Sequence, residues 1–279
     1  RLKSETNTSS YDSISYTYDA IGNLRSKTIG SRRIDYTYDT WHKHAVKTIE
    51  LNGFAHQYEY DDNGNMISGP DFSDPAQVAT RSISYNADNM PTRIIHNKSG
   101  RQLTTDFVYD GDGVRVKKII ANGSTIYYIG AHYEIKDGAA LKYIFAGNLR
   151  IAQISASGTQ YFHKDHLGST TVMTDAAGRM VESTVFMPFG STRDHSGSSV
   201  SDYKYTDQEF DAESGLYNYN ARLYDPVIGR FISADPIVQA PFDPQTLNRY
   251  TYCRNNPLIY IDPSGYSFLG DLWDKAKSI

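Results

Sequence analysis

The run Ile14-Ser15-Tyr16-Thr17-Tyr18-Asp19-Ala20-Ile21-Gly22-Asn23-Leu24 holds the pattern that predicts the fold. Apolar and polar residues alternate up to Tyr18, as in a half-buried β-strand, and an Asp/Gly/Asn cluster typical of a tight turn follows. A Tyr-Asp unit, or Tyr-Asn in one copy, recurs at spacings of 20 to 25 residues, and its first residues are Tyr18, Tyr38, Tyr60, Tyr85 and Tyr109. Each copy predicts one antiparallel β-hairpin.

Turn signals continue between these units and beyond them to about residue 140. The dipeptides that two-residue hairpin turns prefer are Asn52-Gly53, Asn63-Gly64, Asp112-Gly113, Asn122-Gly123 and Asp137-Gly138. The composition of 23 Tyr and 21 Gly also favours twisted sheet over helix bundles. Because a hairpin cannot bury its own face, we predict an all-β chain whose hairpins stack into a long curled sheet.

Composition excludes several classes of protein. The 28 basic and 32 acidic side chains nearly cancel over 279 residues and form no Lys/Arg block, so no direct nucleic-acid partner is expected. No run of 18 uncharged apolar residues predicts a transmembrane segment. The single cysteine, Cys253, excludes a disulfide framework and a multi-cysteine zinc site. We expect no metal and no cofactor.

The pattern divides the chain into four segments. Residues 1–126 carry the repeats, residues 127–202 continue a β-rich shell that includes the segment His-Lys-Asp-His-Leu-Gly-Ser-Thr, residues 203–266 form a block dense in aromatics and Asp-Pro, and residues 267–279 begin a different region. In that last segment the spacing of Phe268, Leu269, Leu272, Trp273 and Ala276 predicts a short amphipathic helix. The chain starts without Met and stops abruptly, so we expect a piece of a longer protein with any signal outside it.

Two longer strings resemble a known family. Residues 161–170, and residues 211–236 followed by Asn248-Arg249-Tyr250 and Asn255-Asn256-Pro257, are similar to the Rhs/YD-repeat proteins with their Rhs-repeat-associated core, the shells of polymorphic toxins and toxin-complex C components. The resemblance implies a spiralling hollow β-cage closed by a core plug domain. It implies as partners the chain's own C-terminal effector as enclosed cargo, the rest of the N-terminal shell, and a secretion-system or toxin-complex subunit. It also implies secretion or cell-surface delivery from a bacterium, in competition between bacteria.

The family resemblance also implies self-cleavage after an Asp-Pro-x-Gly element. The corresponding run here is Asp262-Pro263-Ser264-Gly265-Tyr266, which places the scissile bond between Tyr266 and Ser267. The earlier element, Asp235-Pro236-Ile237-Val238, lacks the glycine of the paired pattern. Any enzyme activity is then at most a single-turnover aspartyl-type autoproteolysis, because the 13 residues that follow Tyr266 are too few for an effector domain.

Two carboxyls within hydrogen-bond range share a proton, so one can activate water while the other protonates the leaving group. The candidate pair is Asp235 and Asp262, with Arg230 and Arg249 as the groups that orient it. A structural interpretation stays open, because five of the ten prolines follow Asp and an aspartate before proline commonly accepts backbone hydrogen bonds in a turn.

The other candidate residues favour structural roles. His163 and His166 at a spacing of three in a strand point to opposite faces, which is poor zinc geometry. The loops that start at Asp61 and Asp110 lack the glycine at the sixth position and the glutamate at the twelfth position of a calcium loop. Cys253 is expected to be buried packing in a strand, and the tyrosines to pack on neighbouring hairpins. The alternative function is a cell-surface adhesion or carbohydrate-binding β-repeat module without proteolysis.

Overall fold

The computed structural model describes residues 1–6, 11–72, 78–98, 100–238 and 240–266. The predicted all-β class is confirmed: antiparallel strands form three sheets, and the helical segments within these ranges are two 3-10 turns, Tyr205–Asp207 and Cys253–Asn255. None of the described helical segments is long and apolar enough to cross a membrane. The predicted helix of the last segment, Ser267 and Asp74 lie outside the described residues.

The first two sheets are built from consecutive hairpins, because each strand pairs with the next one along the chain. The first sheet contains β1 (Ser4–Glu5), β2 (Ile14–Tyr18), β3 (Leu24–Ile29), β4 (Arg32–Tyr38), β5 (Val46–Leu51) and β6 (Phe54–Gln57). The 14-stranded second sheet contains β7 (Glu59–Tyr60), β8 (Met66–Asp71), β9 (Ala79–Tyr85), β10 (Pro91–Lys98), β11 (Arg101–Tyr109), β12 (Arg115–Ile120), β13 (Thr125–Ile129), β14 (Tyr133–Lys136), β15 (Ala139–Ala146), β16 (Leu149–Ser155), β17 (Gly158–Lys164), β18 (Thr170–Asp175), β19 (Met180–Phe186) and β20 (Thr192–Gly197).

The third sheet lies in the segment that follows these hairpins. It has four short strands, which pair in chain order. They are β21 (Glu209–Asp211), β22 (Leu216–Asn218), β23 (Leu223–Asp225) and β24 (Arg230–Phe231). We call residues 203–266 the core segment. The break between the first two sheets falls between β6 and β7, inside the predicted repeat segment, and the second sheet runs without interruption past residue 126.

One turn geometry recurs after the Tyr-Asp units. The aspartate Oδ1 accepts the backbone N–H four residues on, at 2.8 Å for Asp19, 2.8 Å for Asp61 and 2.9 Å for Asp110. The third residue after each of these aspartates is a glycine with a positive φ of 79° to 92°. Residues that have a Cβ rarely adopt this conformation. The Asp/Gly spacing therefore sets where these three hairpins turn.

The tyrosines of the units link one repeat to the one before it. The hydroxyl of Tyr109 donates to the backbone oxygen of Pro91 at 2.8 Å, and Tyr85 makes the same bond to Met66 at 2.9 Å, as does Tyr38 to Leu24 at 2.8 Å. Each acceptor lies where the preceding repeat starts its return strand. The structural interpretation of these tyrosines is confirmed for the three.

The residue two positions before each unit's tyrosine forms a row that packs against the core segment. These buried residues are Tyr16, Tyr36, Tyr58, Ile83 and Phe107. They join one hydrophobic cluster with rings of the core segment, where Tyr224 and Tyr252 have centroids 4.6 Å apart. The core segment thus covers one face shared by both large sheets.

Buried charges also connect the core segment to the second sheet. Arg81 on β9 pairs with Asp225, and Lys118 on β12 contacts Glu209 at 2.8 Å and Asp211 at 2.6 Å. All five side chains are nearly inaccessible to solvent. A buried charge must have an oppositely charged partner to offset the free energy of its desolvation. These ion pairs therefore fix the position of the core segment on the second sheet.

Candidate functional site

The aspartates of the Asp-Pro elements make the turn contacts expected of their structural interpretation. Asp262 Oδ1 accepts the backbone N–H of Gly265 at 2.8 Å, and Asp235 Oδ1 accepts that of Ile237 at 2.8 Å. The Oδ1 atoms of Asp225 and Asp243 each accept the backbone N–H of the residue two positions later. The Oδ1 atom of each carboxyl group therefore has a structural role, and the other contacts of the group are made through Oδ2.

The second oxygen distinguishes two of these aspartates from the others. Asp225 and Asp243 each pair with an arginine of their own, Arg81 and Arg254 respectively. Asp235 and Asp262 instead share one arginine. Arg222 Nη2 lies 2.9 Å from Asp235 Oδ2 and 3.6 Å from Asp262 Oδ2, so the two carboxyl oxygens are separated by no more than the sum of these distances.

The structure thus brings together the two carboxyls that the sequence selected. Asp235 is 6 % exposed and Asp262 is 3 % exposed. Two carboxyls face one guanidinium there, so Arg222 balances only one of the two negative charges when both groups are ionised. Burial raises the pKa of Asp235, and the neighbouring Arg222 opposes that rise.

Arg222 is the residue of this candidate site that the sequence did not single out. Its Nη1 donates to the backbone oxygen of Arg249 at 3.0 Å, its Nε donates to that of Gly265, and its guanidinium lies 3.7 Å from the ring centroid of Phe231. The available signal was a lone arginine between the apolar and aromatic residues of the β22–β23 hairpin. Such a buried cation needs acidic partners.

Arg249 and Arg230 occupy different places. Arg249 lies beside the pair: its Nε donates to the backbone oxygen of Asp235, and its own backbone oxygen accepts the N–H of Asp235 at 2.9 Å. Arg230 lies under the repeats, close enough to Tyr38 to oppose the rise that burial causes in the pKa of that phenol, and it donates to the backbone oxygen of Gly229 at 2.9 Å. Arg222 therefore fills the position that the sequence assigned to Arg230.

A small cavity opens between the two carboxyls. Its volume is about 30 Å³, and its lining includes Arg222, Asp235, Thr251, Cys253 and Asp262. A site of this size holds one or two water molecules when polar groups surround it. The hydroxyl of Thr251 is buried and has no hydrogen-bond partner among the described residues, so it is available to such a water.

The backbone that precedes the expected scissile bond is fixed against the same hairpin. Ala221 donates its backbone N–H to the oxygen of Ser264 at 3.2 Å. Gly265 has φ of 76°, and a Cβ there would lie 2.5 Å from the backbone oxygen of Tyr219. Only glycine fits this position without displacing the backbone. The side chain of Tyr266 is exposed.

The remaining sequence candidates have structural surroundings. His163 Nε2 lies 2.9 Å from Thr174 Oγ1, while His166 lies in the turn after β17 rather than in a strand. Cys253 was also expected in a strand, but it opens a 3-10 turn, where burial raises the pKa of its thiol. Within the described ranges, no three His, Cys, Asp or Glu side chains are arranged to hold a metal ion.

Comparison with known proteins gives a family match. The model of the Teneurin YD-shell family matches residues 127–258. The tRNA3(Ser)-specific nuclease WapA of Bacillus spizizenii is 26 % identical over 264 residues, covering 91 % of this chain and 11 % of that protein. Toxin subunit YenC2 of Yersinia entomophaga is 35 % identical over 102 residues, covering 35 % of this chain and 10 % of that subunit. The chain spans about a tenth of the length of these relatives.

The fold agrees with this match. The crystal structure of TcdB2-TccC3 superposes with a TM-score of 0.57 at 20 % identity, over 91 % of this chain and 17 % of that one. It shows the same all-β shell architecture. Together with the Tyr-Asp hairpins and the core segment, these likenesses show that the chain belongs to the Rhs/YD-repeat family of toxin-complex type shell proteins.

Proposed function

We propose that this chain is part of a shell that encloses a C-terminal effector and releases it by intramolecular aspartyl-type cleavage after Tyr266. The observation that carries the proposal is that Asp235 and Asp262 share Arg222, whereas the other two described Asp-Pro aspartates each have an arginine of their own. The turn contacts use only Oδ1, so the sharing of one arginine is a contact beyond those of the turns.

The chemistry follows from the positions of these groups. One carboxylate, Asp262, takes a proton from a water in the small cavity, and the water oxygen attacks the carbonyl carbon of Tyr266. The other carboxyl, Asp235, gives its proton to the departing amide nitrogen of Ser267, because burial raises its pKa and favours the protonated form. The C–N bond breaks, leaving a carboxyl group on Tyr266 and an amine on Ser267.

Arg222 has the positioning role in this scheme. It contacts both carboxyls and binds the backbone oxygen of Gly265, the residue before Tyr266. A single side chain therefore contacts both acids and the backbone segment that is to be cut. Preorganisation of this kind lowers the cost of bringing reacting groups together.

The relatives support a setting for this reaction. Several are named as toxins or toxin subunits, including Toxin protein Tse5 of Pseudomonas aeruginosa, and this favours the toxin shell over the adhesion module. The proposed partners are the chain's own effector, the remaining shell and a delivery subunit of a secretion system or toxin complex. The proposed setting is secretion or cell-surface delivery from a bacterium.

The test is intact-mass analysis of the full-length protein, wild type beside Asp262→Asn and Asp235→Asn. We expect wild type to be cut between Tyr266 and Ser267 and both variants to stay uncut. Asp243→Asn is the matched control, because Asp243 makes the same turn contact and pairs with its own arginine. It should be cut as wild type is.

Two outcomes would contradict the proposal. One is a wild-type protein that stays intact while its circular dichroism shows folded β-structure. The other is cleavage of Asp262→Asn at the wild-type rate. Loss of cleavage in Asp243→Asn as well would attribute the effect to turn disruption rather than to acid–base chemistry.

A further inference from the structure

A second, larger cavity lies between the first sheet and the core segment. Its volume is about 430 Å³, and it shares no lining residue with the small cavity at Asp235 and Asp262. One wall comes from β3, β4 and β5 and the opposite wall from β21, β22 and residues 226–227. The apolar lining includes Ile29, Ile34, Ile49, Leu51, Phe72, Phe210, Tyr217 and Val227.

Lys27 places a cation in this apolar lining. It is 4 % exposed, and no described residue makes a hydrogen bond or ion pair with its Nζ. Burial lowers the pKa of Lys27 to about 8, and nearby Arg32 and Arg193 lower it further. Asp225 acts in the opposite sense, but its own partner is Arg81. An ammonium that faces an apolar cavity gains from an anionic partner there, so this site favours an added negative charge.

Two further hydrogen-bond donors line the same cavity, and neither has an acceptor among the described residues. Arg32 Nε and the hydroxyl of Tyr36 are buried and have no hydrogen-bond partner within the described residues. Together with Lys27 they present three donors and an excess of positive charge. An unmade hydrogen bond at a buried donor is unfavourable, so an acceptor group bound here would gain from all three.

We propose that this cavity binds a small carboxylic acid with an apolar chain. The carboxylate would accept hydrogen bonds from Lys27 and Arg32, and the chain would lie against the isoleucines, Leu51 and Phe210. The volume of about 430 Å³ falls within the range of about 300–1,000 Å³ that small-molecule sites occupy. One ammonium and one guanidinium N–H match a carboxylate better than a phosphate, which carries more charge and more acceptors.

Calorimetric titration of the full-length protein with octanoate tests this site. We expect saturable binding by wild type and, for Lys27→Met, an affinity lower by about tenfold to a hundredfold, since hydrogen bonds to charged groups contribute about that much. Octanol, which has the same chain and no charge, should bind the two proteins equally. Lys142→Met is the control, because Lys142 is exposed on β15.

The pH dependence gives an independent readout. Octanoate binding should weaken as the pH rises past about 8, because Lys27 then loses the proton that its partner needs, whereas octanol binding should not change. Equal affinities of wild type and Lys27→Met for octanoate would overturn the proposal. So would the absence of octanoate binding to folded wild type, or a cross-link from Lys27 to the chain's own effector, which would make a polypeptide the occupant.

Discussion

Replacing Asp225 with asparagine removes the carboxylate that pairs with Arg81 and leaves the buried guanidinium with Asp71 as its other acidic neighbour. Arg81 is 1 % exposed, its Nε already has no hydrogen-bond partner among the described residues, and its Nη1 keeps the bond to the backbone oxygen of Ser214 at 2.9 Å. Breaking a buried pair on one side costs about 3–5 kcal/mol of stability. We therefore expect the contact between β9 and the core segment to open far more often.

Hydrogen exchange in the full-length protein measures that opening at the backbone amides of β23 and β9. A loss of about 3–5 kcal/mol corresponds to exchange faster by about a hundredfold to a few thousandfold at these amides. The double variant Arg81→Met/Asp225→Asn removes both charges and should recover most of the protection, because apolar replacements of a whole buried pair are often neutral.

The matched control is Asp35→Asn, which breaks the exposed pair of Arg33 and Asp35 at 2.7 Å. Exchange at β23 and β9 should not change, since water replaces the lost partner. The reasoning fails if Asp225→Asn exchanges as wild type does. It fails equally if the double variant exchanges faster than the single one, since the cost would then not come from the unpaired guanidinium.

Two other predictions address the tyrosines and the acid. Tyr109→Phe should destabilise its repeat by about 0.5–1.5 kcal/mol, because the hydrogen bond to Pro91 is lost. Tyr16→Phe should be neutral or stabilising, because the hydroxyl of Tyr16 is buried without a hydrogen-bond partner among the described residues. Hydrogen exchange at the flanking strands measures both effects. Cleavage after refolding from urea should slow as the pH rises above the usual range of a carboxyl group, because Asp235, whose pKa is raised by burial, then loses the proton it donates. Mass analysis at each pH measures this rate, and a rate that rises with pH over that range would reverse the assigned roles.

The sequence predicts the hairpins because their determinants are local. Asp110 and Gly113 lie three residues apart, and the turn they form needs no distant partner. The family resemblance, rather than spacing, led to Asp235 and Asp262. Their common partner Arg222 escaped prediction, because only the packing of residues 262–265 on the β22–β23 hairpin brings these three side chains together.

The division into two large sheets also could not be predicted. Strand alternation is the same on both sides of β6 and β7, so no local signal marks where pairing stops. The pairing of Lys118 with Glu209 and Asp211 joins residues about ninety positions apart in the chain, and charge pattern alone does not specify such partners.

The bond from the hydroxyls of Tyr38, Tyr85 and Tyr109 to the repeat before each has a consequence for how such shells change size. Because Tyr85 reaches Met66 and Tyr109 reaches Pro91, each unit depends on its immediate neighbour and on no fixed total number of units. Duplication or loss of one unit therefore leaves every other junction intact. The volume of the proposed cargo space can then evolve in steps of one hairpin, while the charged contacts of Arg81 and Lys118 keep the core segment in register with the strands beneath it.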